Sequence, residues 1–262
     1  MFELSKDRYE ILLAPIMQVP FNMLMARSVL SHHVDGRVFV DSCESPESFY
    51  IVHPYGMTFL CGDSSKEAFN QGLFDYFAGK SHARKTDEWL QAFPRDWDLV
   101  LNPLVDKRTA TLHSRLNFKF NEAKFHETYH QIEKSQYEII PTPIDMVFEI
   151  SGRVVPKDYW KTPEQLNDMA KAFTLMIDGK PAATAFPSAR HEDKLEIGIE
   201  TVAEHHGKGL GYLACAKLIE YCLENKLEPI WSCRDTNIAS VNLCKKLGFT
   251  EIARMPYYHI PL

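Results

Sequence analysis

The stretch Glu200-Thr201-Val202-Ala203-Glu204-His205-His206-Gly207-Lys208-Gly209-Leu210-Gly211 sets three glycines between a strand-like run and a long apolar-striped segment. A helix starting there leaves its first N–H groups without internal partners, pointing out along the positive end of the helix dipole. The glycines let the main chain close around a phosphate without Cβ clashes. The chemistry this supports is anion binding, phosphate foremost. A tight strand-to-helix turn without a ligand is the plain alternative.

Just upstream, Glu196 and Glu200 share one strand face by period two, opposite Leu195, Ile197 and Ile199. A carboxylate here can act as a general base, with Glu196 the first candidate; a solvated strand carboxylate is the alternative. Tyr257 and Tyr258 are candidates for lining a pocket or for packing. A second motif, His126-Glu127-Thr128-Tyr129-His130, spells HExxH on a predicted helix, the pattern of zinc hydrolases. Lys124 stands where those enzymes keep an uncharged residue, and Glu149 is the one conceivable third ligand. The apolar stripe Phe125, Tyr129 and Ile132 accounts for the helix without metal, so no zinc is expected.

The elements that must position these groups follow from patterning. Strands are expected over Arg37–Val40, Phe49–Val52 and Met57–Cys61, and Ser64 with Glu67 resembles a capping box for a helix stopping near Gly79. Alternation from Leu112 to Phe120 predicts a half-buried strand, and Asn121 caps the helix after it. Asp178-Gly179 is a hairpin turn between strands at Phe173–Ile177 and Ala182–Pro187. A strand over Leu195–Val202 leads into a helix from Gly209 to about Asn225. Its rows Leu210, Ala214, Leu218, Cys222 and Cys215, Ile219, Leu223 make a stripe wide enough to cover a sheet. Pro229–Cys233 is a further strand, Ala239–Leu247 a helix, and Gly248-Phe249 opens the last strands. The expectation is an α+β fold, its sheet mixed but mostly antiparallel and flanked by helices.

The chain has 262 residues, 45% hydrophobic and 24% charged, enough for one large domain or two lobes. Net charge is -6, and Lys and Arg are scattered, which argues against nucleic acid as a partner. The uncharged-looking run from Ile11 is broken by Pro15, Gln18, Pro20 and Asn22, so it reads as a buried segment rather than a membrane span. Six cysteines with no CxxC pair, and no secretory apolar region at the start, point to a reducing, cytoplasmic setting.

The glycine turn resembles the coenzyme A loop of the GNAT N-acetyltransferase superfamily, Q/R-x-x-G-x-G/A, with His206 at its first position and Gly209 and Gly211 as its glycines. Glu196-Ile197-Gly198-Ile199 before it fits that resemblance, as do Pro229-Ile230-Trp231-Ser232-Cys233, Asn237-x-x-Ser240 and Lys246-Leu247-Gly248-Phe249 after it. The run is similar to a two-lobed bacterial branch that includes the acetyltransferase conferring zwittermicin A resistance. The match is strong over residues 172–260. The resemblance implies acetyl-coenzyme A as donor and an amine, most simply of a small molecule, as acceptor. It implies that backbone amides of Gly207, Lys208, Gly209, Leu210, Gly211 and Tyr212 cradle the pyrophosphate. Main-chain groups of Thr201 and Val202 would pair with the pantetheine arm, an amide of this strand would polarise the thioester, and Asn237 and Ser240 would approach from the next helix. His206 replaces the usual Arg or Gln, with Lys208 adding charge. Cys244 stands where many members keep a tyrosine that protonates the leaving thiolate; it is either that acid or a small packing residue. The missing tyrosine also leaves open a module that binds acyl-coenzyme A without turnover.

A boundary is expected between residues 134 and 135, separating an N-terminal α+β lobe from the acetyltransferase domain, 135–262. The N-terminal lobe loosely echoes the order of elements at 172–225. Its corresponding turn, Cys61-Gly62-Asp63-Ser64-Ser65, has one glycine and a carboxylate where phosphate would sit, so it should bind no coenzyme.

Overall fold

A computed structural model describes residues 1–129 and 137–262. The boundary expected at 134/135 and the predicted Ile132 and His130 lie outside those residues. The chain divides into two compact units, Met1–Arg115 with Arg254–Leu262, and Leu116–Ala253.

The first unit runs β1 (Phe2–Glu3), α1 (Leu13–Met17), α2 (Leu24–Leu30), β2 (Arg37–Val40), β3 (Ser48–Val52), β4 (Met57–Gly62), α3 (Glu67–Phe77), β5 (Glu88–Phe93) and α4 (Trp97–Asp106). It adds the start of β6 (Thr111–Phe120). Strands β1 to β4 are antiparallel neighbours, while β4 and β5 pair in parallel from Met57↔Trp89 to Cys61↔Phe93. The core gathers Phe39, Tyr50, Leu60, Leu73, Tyr76, Leu90 and Trp97, with Tyr258 and Ile260 from the end of the chain. Tyr258 donates its hydroxyl to Asp98 Oδ1 at 3.0 Å, and Tyr257 lies against Trp89.

The capping box is not formed. Helix α3 starts after Lys66 with no side-chain cap, because the Asp63 carboxylate has taken the turn: Oδ1 accepts from the Ser65 N–H (2.9 Å) and hydroxyl (2.7 Å). The proline-broken run near Ile11 folds as a 3-10 turn, Lys6–Leu12, joined to α1, with Leu12 and Ile16 buried. Alternation and helical spacing gave no warning of α2, β5 or α4.

In the second unit come α5 (Glu122–Tyr129), β7 (Glu138–Pro141), α6 (Pro163–Met169), β8 (Phe173–Ile177), β9 (Lys180–His191), β10 (Lys194–Thr201), α7 (Leu210–Glu224), β11 (Glu228–Arg234), α8 (Ile238–Lys246) and the start of β12 (Phe249–Ile260). Strands β7 to β10 are antiparallel neighbours, and β10 pairs with β11 in parallel. Asn121 caps α5 through the Lys124 N–H, and Phe125 stacks on Tyr129. Asp178 and Gly179 both take positive φ, as a two-residue hairpin requires. Leu195, Ile197 and Ile199 face α7, where Leu210, Ala214, Cys215 and Leu218 complete the core. Burying that face at about 25 cal/mol per Å² of apolar surface is what holds the helix on the sheet.

Candidate acetyl-donor site

Two irregularities shape the end of β10. The β9–β10 register shifts between Glu196 and Ile197, with Ala189 opposite the first and Pro187 opposite the second, so Ser188 is an extra residue in β9. Its hydroxyl donates to the Glu196 carbonyl at 3.1 Å. A bulge of this kind adds local twist. At the same point the parallel pairing with β11 ends: Lys194↔Glu228, Leu195↔Pro229 and Glu196↔Ile230 are its only rungs. Beyond them β10 continues to Thr201 and β11 to Arg234 without pairing to each other.

The unpaired edge has a definite composition. The Val202 N–H donates to Ala182 O (3.0 Å), and the Val202 carbonyl accepts from the His205 N–H (2.9 Å). Both Val202 main-chain groups are therefore used inside the protein. Because the Val202 amide turns to β9, period two turns the main-chain groups of Ile199 and Thr201 to the opposite edge, where β11 has parted. The Thr201 carbonyl accepts from His206 Nε2 at 2.8 Å, so His206 braces the turn.

Past a short 3-10 turn, Ala203–His205, the chain reaches Gly207 and Gly209 at φ 76° and 78°, the left-handed region that favours glycine. Gly209 is the N-cap of α7, a helix of 15 residues. Gly211 serves a different purpose: a Cβ there would lie 3.1 Å from Thr201 Oγ1 and close to Ile199, so its hydrogen lets the first turn sit against β10. The Tyr212 N–H is taken by Gly209 O (3.1 Å). The N–H groups of Gly207, Lys208, Gly209, Leu210 and Gly211 have no backbone acceptor among the described residues. Lys208 Nζ lies 3.3 Å from His205 Nδ1 beside them. The arrangement is a row of amides at the positive end of a helix dipole, beside an open strand edge. It can hold a phosphate and an extended, amide-bearing chain.

The remaining candidates fall around this turn. Glu196 is 3% exposed, and its Oε1 accepts the Ser232 hydroxyl at 2.7 Å. Glu200 does something the sequence did not suggest: its Oε2 accepts the Arg153 and Val154 N–H groups at 2.9 and 2.8 Å, tying the 152–154 loop to β10. Asn237 caps α8, accepting from the Ser240 N–H, and Ser240 Oγ accepts from the Trp231 indole. Cys244 is fully buried, with its thiol directed to Val241 O, and burial pushes that thiol up to about 12. Neither Ser232 nor Ile199 stands out in sequence, since each reads as an ordinary strand residue. His126 pairs with Glu122 at 3.5 Å. Among the described residues no group of three or more His, Cys, Asp or Glu side chains could hold a metal ion. Nor is any described helix long and apolar enough to cross a membrane.

An N-acetyltransferase of Bacillus subtilis, YdfB, itself uncharacterized, is 25% identical over 259 residues, covering 98% of this chain and 97% of its own. The crystal structure of a GCN5-related N-acetyltransferase-like protein from Streptococcus suis superposes with a TM-score of 0.71 at 18% identity, covering 97% and 98% of the two chains. A GNAT-family acetyltransferase from Colwellia psychrerythraea gives 0.61 at 14% identity, covering 99% and 98%. At those identities the two structures speak for the fold alone. The family profile described as GNAT acetyltransferase matches residues 16–258, so the chain belongs to the GNAT acetyltransferase family.

Proposed function

We propose that this protein transfers the acetyl group of acetyl-coenzyme A to the amine of a small-molecule acceptor, by direct attack, in a reducing cytoplasmic setting. The observation that carries the reading is the row of unclaimed amides from Gly207 to Gly211 beside the β10 edge that β11 leaves unpaired. The amides would hold the pyrophosphate, and the Ile199 main-chain groups with the Thr201 N–H would meet the pantetheine arm as a neighbouring strand does. An amide on that edge would also stabilise the oxyanion of the tetrahedral intermediate. Asn237 and Ser240 would serve the donor by fixing the start of α8.

Glu196 is the base. The ammonium of the acceptor gives it a proton, and the free amine adds to the thioester carbon. The added nitrogen gives its second proton to solvent, the C–S bond breaks, and coenzyme A leaves as thiolate, an acceptable leaving group without a dedicated acid. A buried Cys244 with a thiol pushed up to about 12 suits packing better than proton delivery. A two-unit acetyltransferase of this build fits the branch that includes zwittermicin A resistance, hence an amino-bearing small molecule as acceptor.

The test is thiol release from acetyl-coenzyme A across a panel of primary amines. Glu196→Gln should lose about a hundredfold or more in rate at neutral pH and recover partly at high pH, where the amine deprotonates unaided. A constant ratio to wild type across pH removes Glu196 as base.

A further inference from the structure

Glu196 sits one step inside the surface: its side chain is 3% exposed, and Oε1 is occupied by the hydroxyl of Ser232. Ser232 is half-buried and lies on β11 two residues beyond Ile230, the last residue paired to β10. By period two, Ser232 and Arg234 are on the β11 face opposite the core residues Trp231 and Cys233. On β10 the matching face carries Glu196 and Glu200, with the Phe186 ring over Gly198 between them. Glu200 is committed to the 152–154 loop. At the point where the two strands part, a carboxylate lies inside and a hydroxyl bonded to it lies outside.

We propose that Ser232 is the relay between Glu196 and the acceptor amine. The inference rests on Glu196 being the base. A serine oxygen that donates its own proton still has lone pairs with which to accept one. The ammonium proton passes to Ser232 Oγ as the Ser232 proton passes to Glu196 Oε1. One N–H bond breaks and one carboxyl O–H bond forms, while the serine ends as it began. The amine keeps its electron pair and adds to the thioester carbon. The relay lets a buried carboxylate act on an amine that meets only the serine, and it supplies an acceptor at a fixed place for one N–H of the substrate.

The experiment compares Ser232→Ala, Ser232→Thr, Glu196→Gln and the Ser232→Ala/Glu196→Gln double variant. Acetyl-coenzyme A is used with ethanolamine, glucosamine, lysine and spermidine as acceptor probes, and kcat/KM is followed across pH. Ser232→Ala should lose about tenfold or more at neutral pH and regain part of it at high pH, with acetyl-coenzyme A affinity unchanged. Ser232→Thr keeps the hydroxyl and should restore most of the rate. The double variant should be no slower than Glu196→Gln, because both lie on one path. If Ser232→Ala stays within twofold with an unaltered pH profile while Glu196→Gln is impaired, the relay is wrong and the base stands. If Glu196→Gln is unimpaired, or if wild type acetylates none of the four amines, the base and the relay fall together.

Discussion

The two units each contain a strand, a turn, a helix and a parallel strand, following an antiparallel run of strands. In the first, β4 leads through Asp63–Lys66 to α3 and back to β5; in the second, β10 leads through 202–209 to α7 and back to β11. The turns have opposite outcomes. In the first, the Asp63 carboxylate takes the Ser65 N–H, the Asp63 N–H goes to Glu47 O, and Lys66 pairs with Glu47. The Ser65 N–H, donating to that carboxylate, holds Asp63 below the usual carboxylate range. The parallel strands there stay paired over five rungs, against three in the second unit. One turn satisfies itself, and the other leaves its amides open beside a strand edge that has parted. The same local topology thus either closes on itself or stays open, according to where a carboxylate falls and whether the strands separate.

The largest effect expected from this contrast is on donor binding. Gly209→Val forces a β-branched residue into the left-handed region at the N-cap of α7, and Gly211→Val pushes a side chain onto Thr201 and Ile199. Each should weaken acetyl-coenzyme A binding by about a hundredfold or more, against a few-fold for His206→Ala, which loses only a brace. Calorimetric titration reads all three, and equal losses would break the model of a backbone cradle.

A glycine in the first unit should behave differently. At Gly62, φ is 98° and a Cβ would stand 1.9 Å from Glu47 O, so Gly62→Ala should destabilise the protein by at least about 2 kcal/mol. Acetyl-coenzyme A affinity of the folded fraction should be unchanged. Denaturant unfolding and a binding titration together check this; weakened binding in the folded fraction would contradict the division of roles.

Smallest is a pH effect confined to the first unit. Burial pushes the His53 imidazole down to about 3, so the ring is neutral when folded, and Nδ1 accepts from the Tyr55 N–H. The unfolded chain takes up a proton below about pH 6.5. The folded value lies below the unfolded one, so this contribution is whole above about pH 6.5 and is lost as pH falls towards 3. The slope is at most about 1.4 kcal/mol per pH unit. Unfolding free energies at pH 7 and pH 5 should converge in His53→Gln relative to wild type; an unchanged difference would remove His53 as a cause.

Much of the second unit was legible because its signals are local. Strand alternation, Asp178-Gly179, the cap at Asn121, and the stripe of α7 each depend on near neighbours. The glycines at 207–211 marked the turn for the same reason. What stayed hidden depends on partners far along the chain. The bulge at Ser188 and the parting of β11 are properties of pairing, so Ser232 and the open edge at Ile199 left no trace in their own residues, and Thr201 was reached only through the family resemblance. Val202 reads like Thr201 in sequence, yet only the register shows that its main-chain groups are taken. Glu200 looked like a twin of Glu196 until the 152–154 loop claimed its carboxylate. In the first unit, Ser64 and Glu67 had the spacing of a capping box, and the neighbouring Asp63 took the turn instead.

The most direct test of the account is the stoichiometry of acetyl-coenzyme A binding, measured by isothermal titration of the whole chain and of its Gly209→Val variant. One molecule per chain is expected, with the binding lost in the variant. Two per chain would mean that the Asp63 turn also binds the donor, and undiminished binding in Gly209→Val would mean that the α7 turn does not.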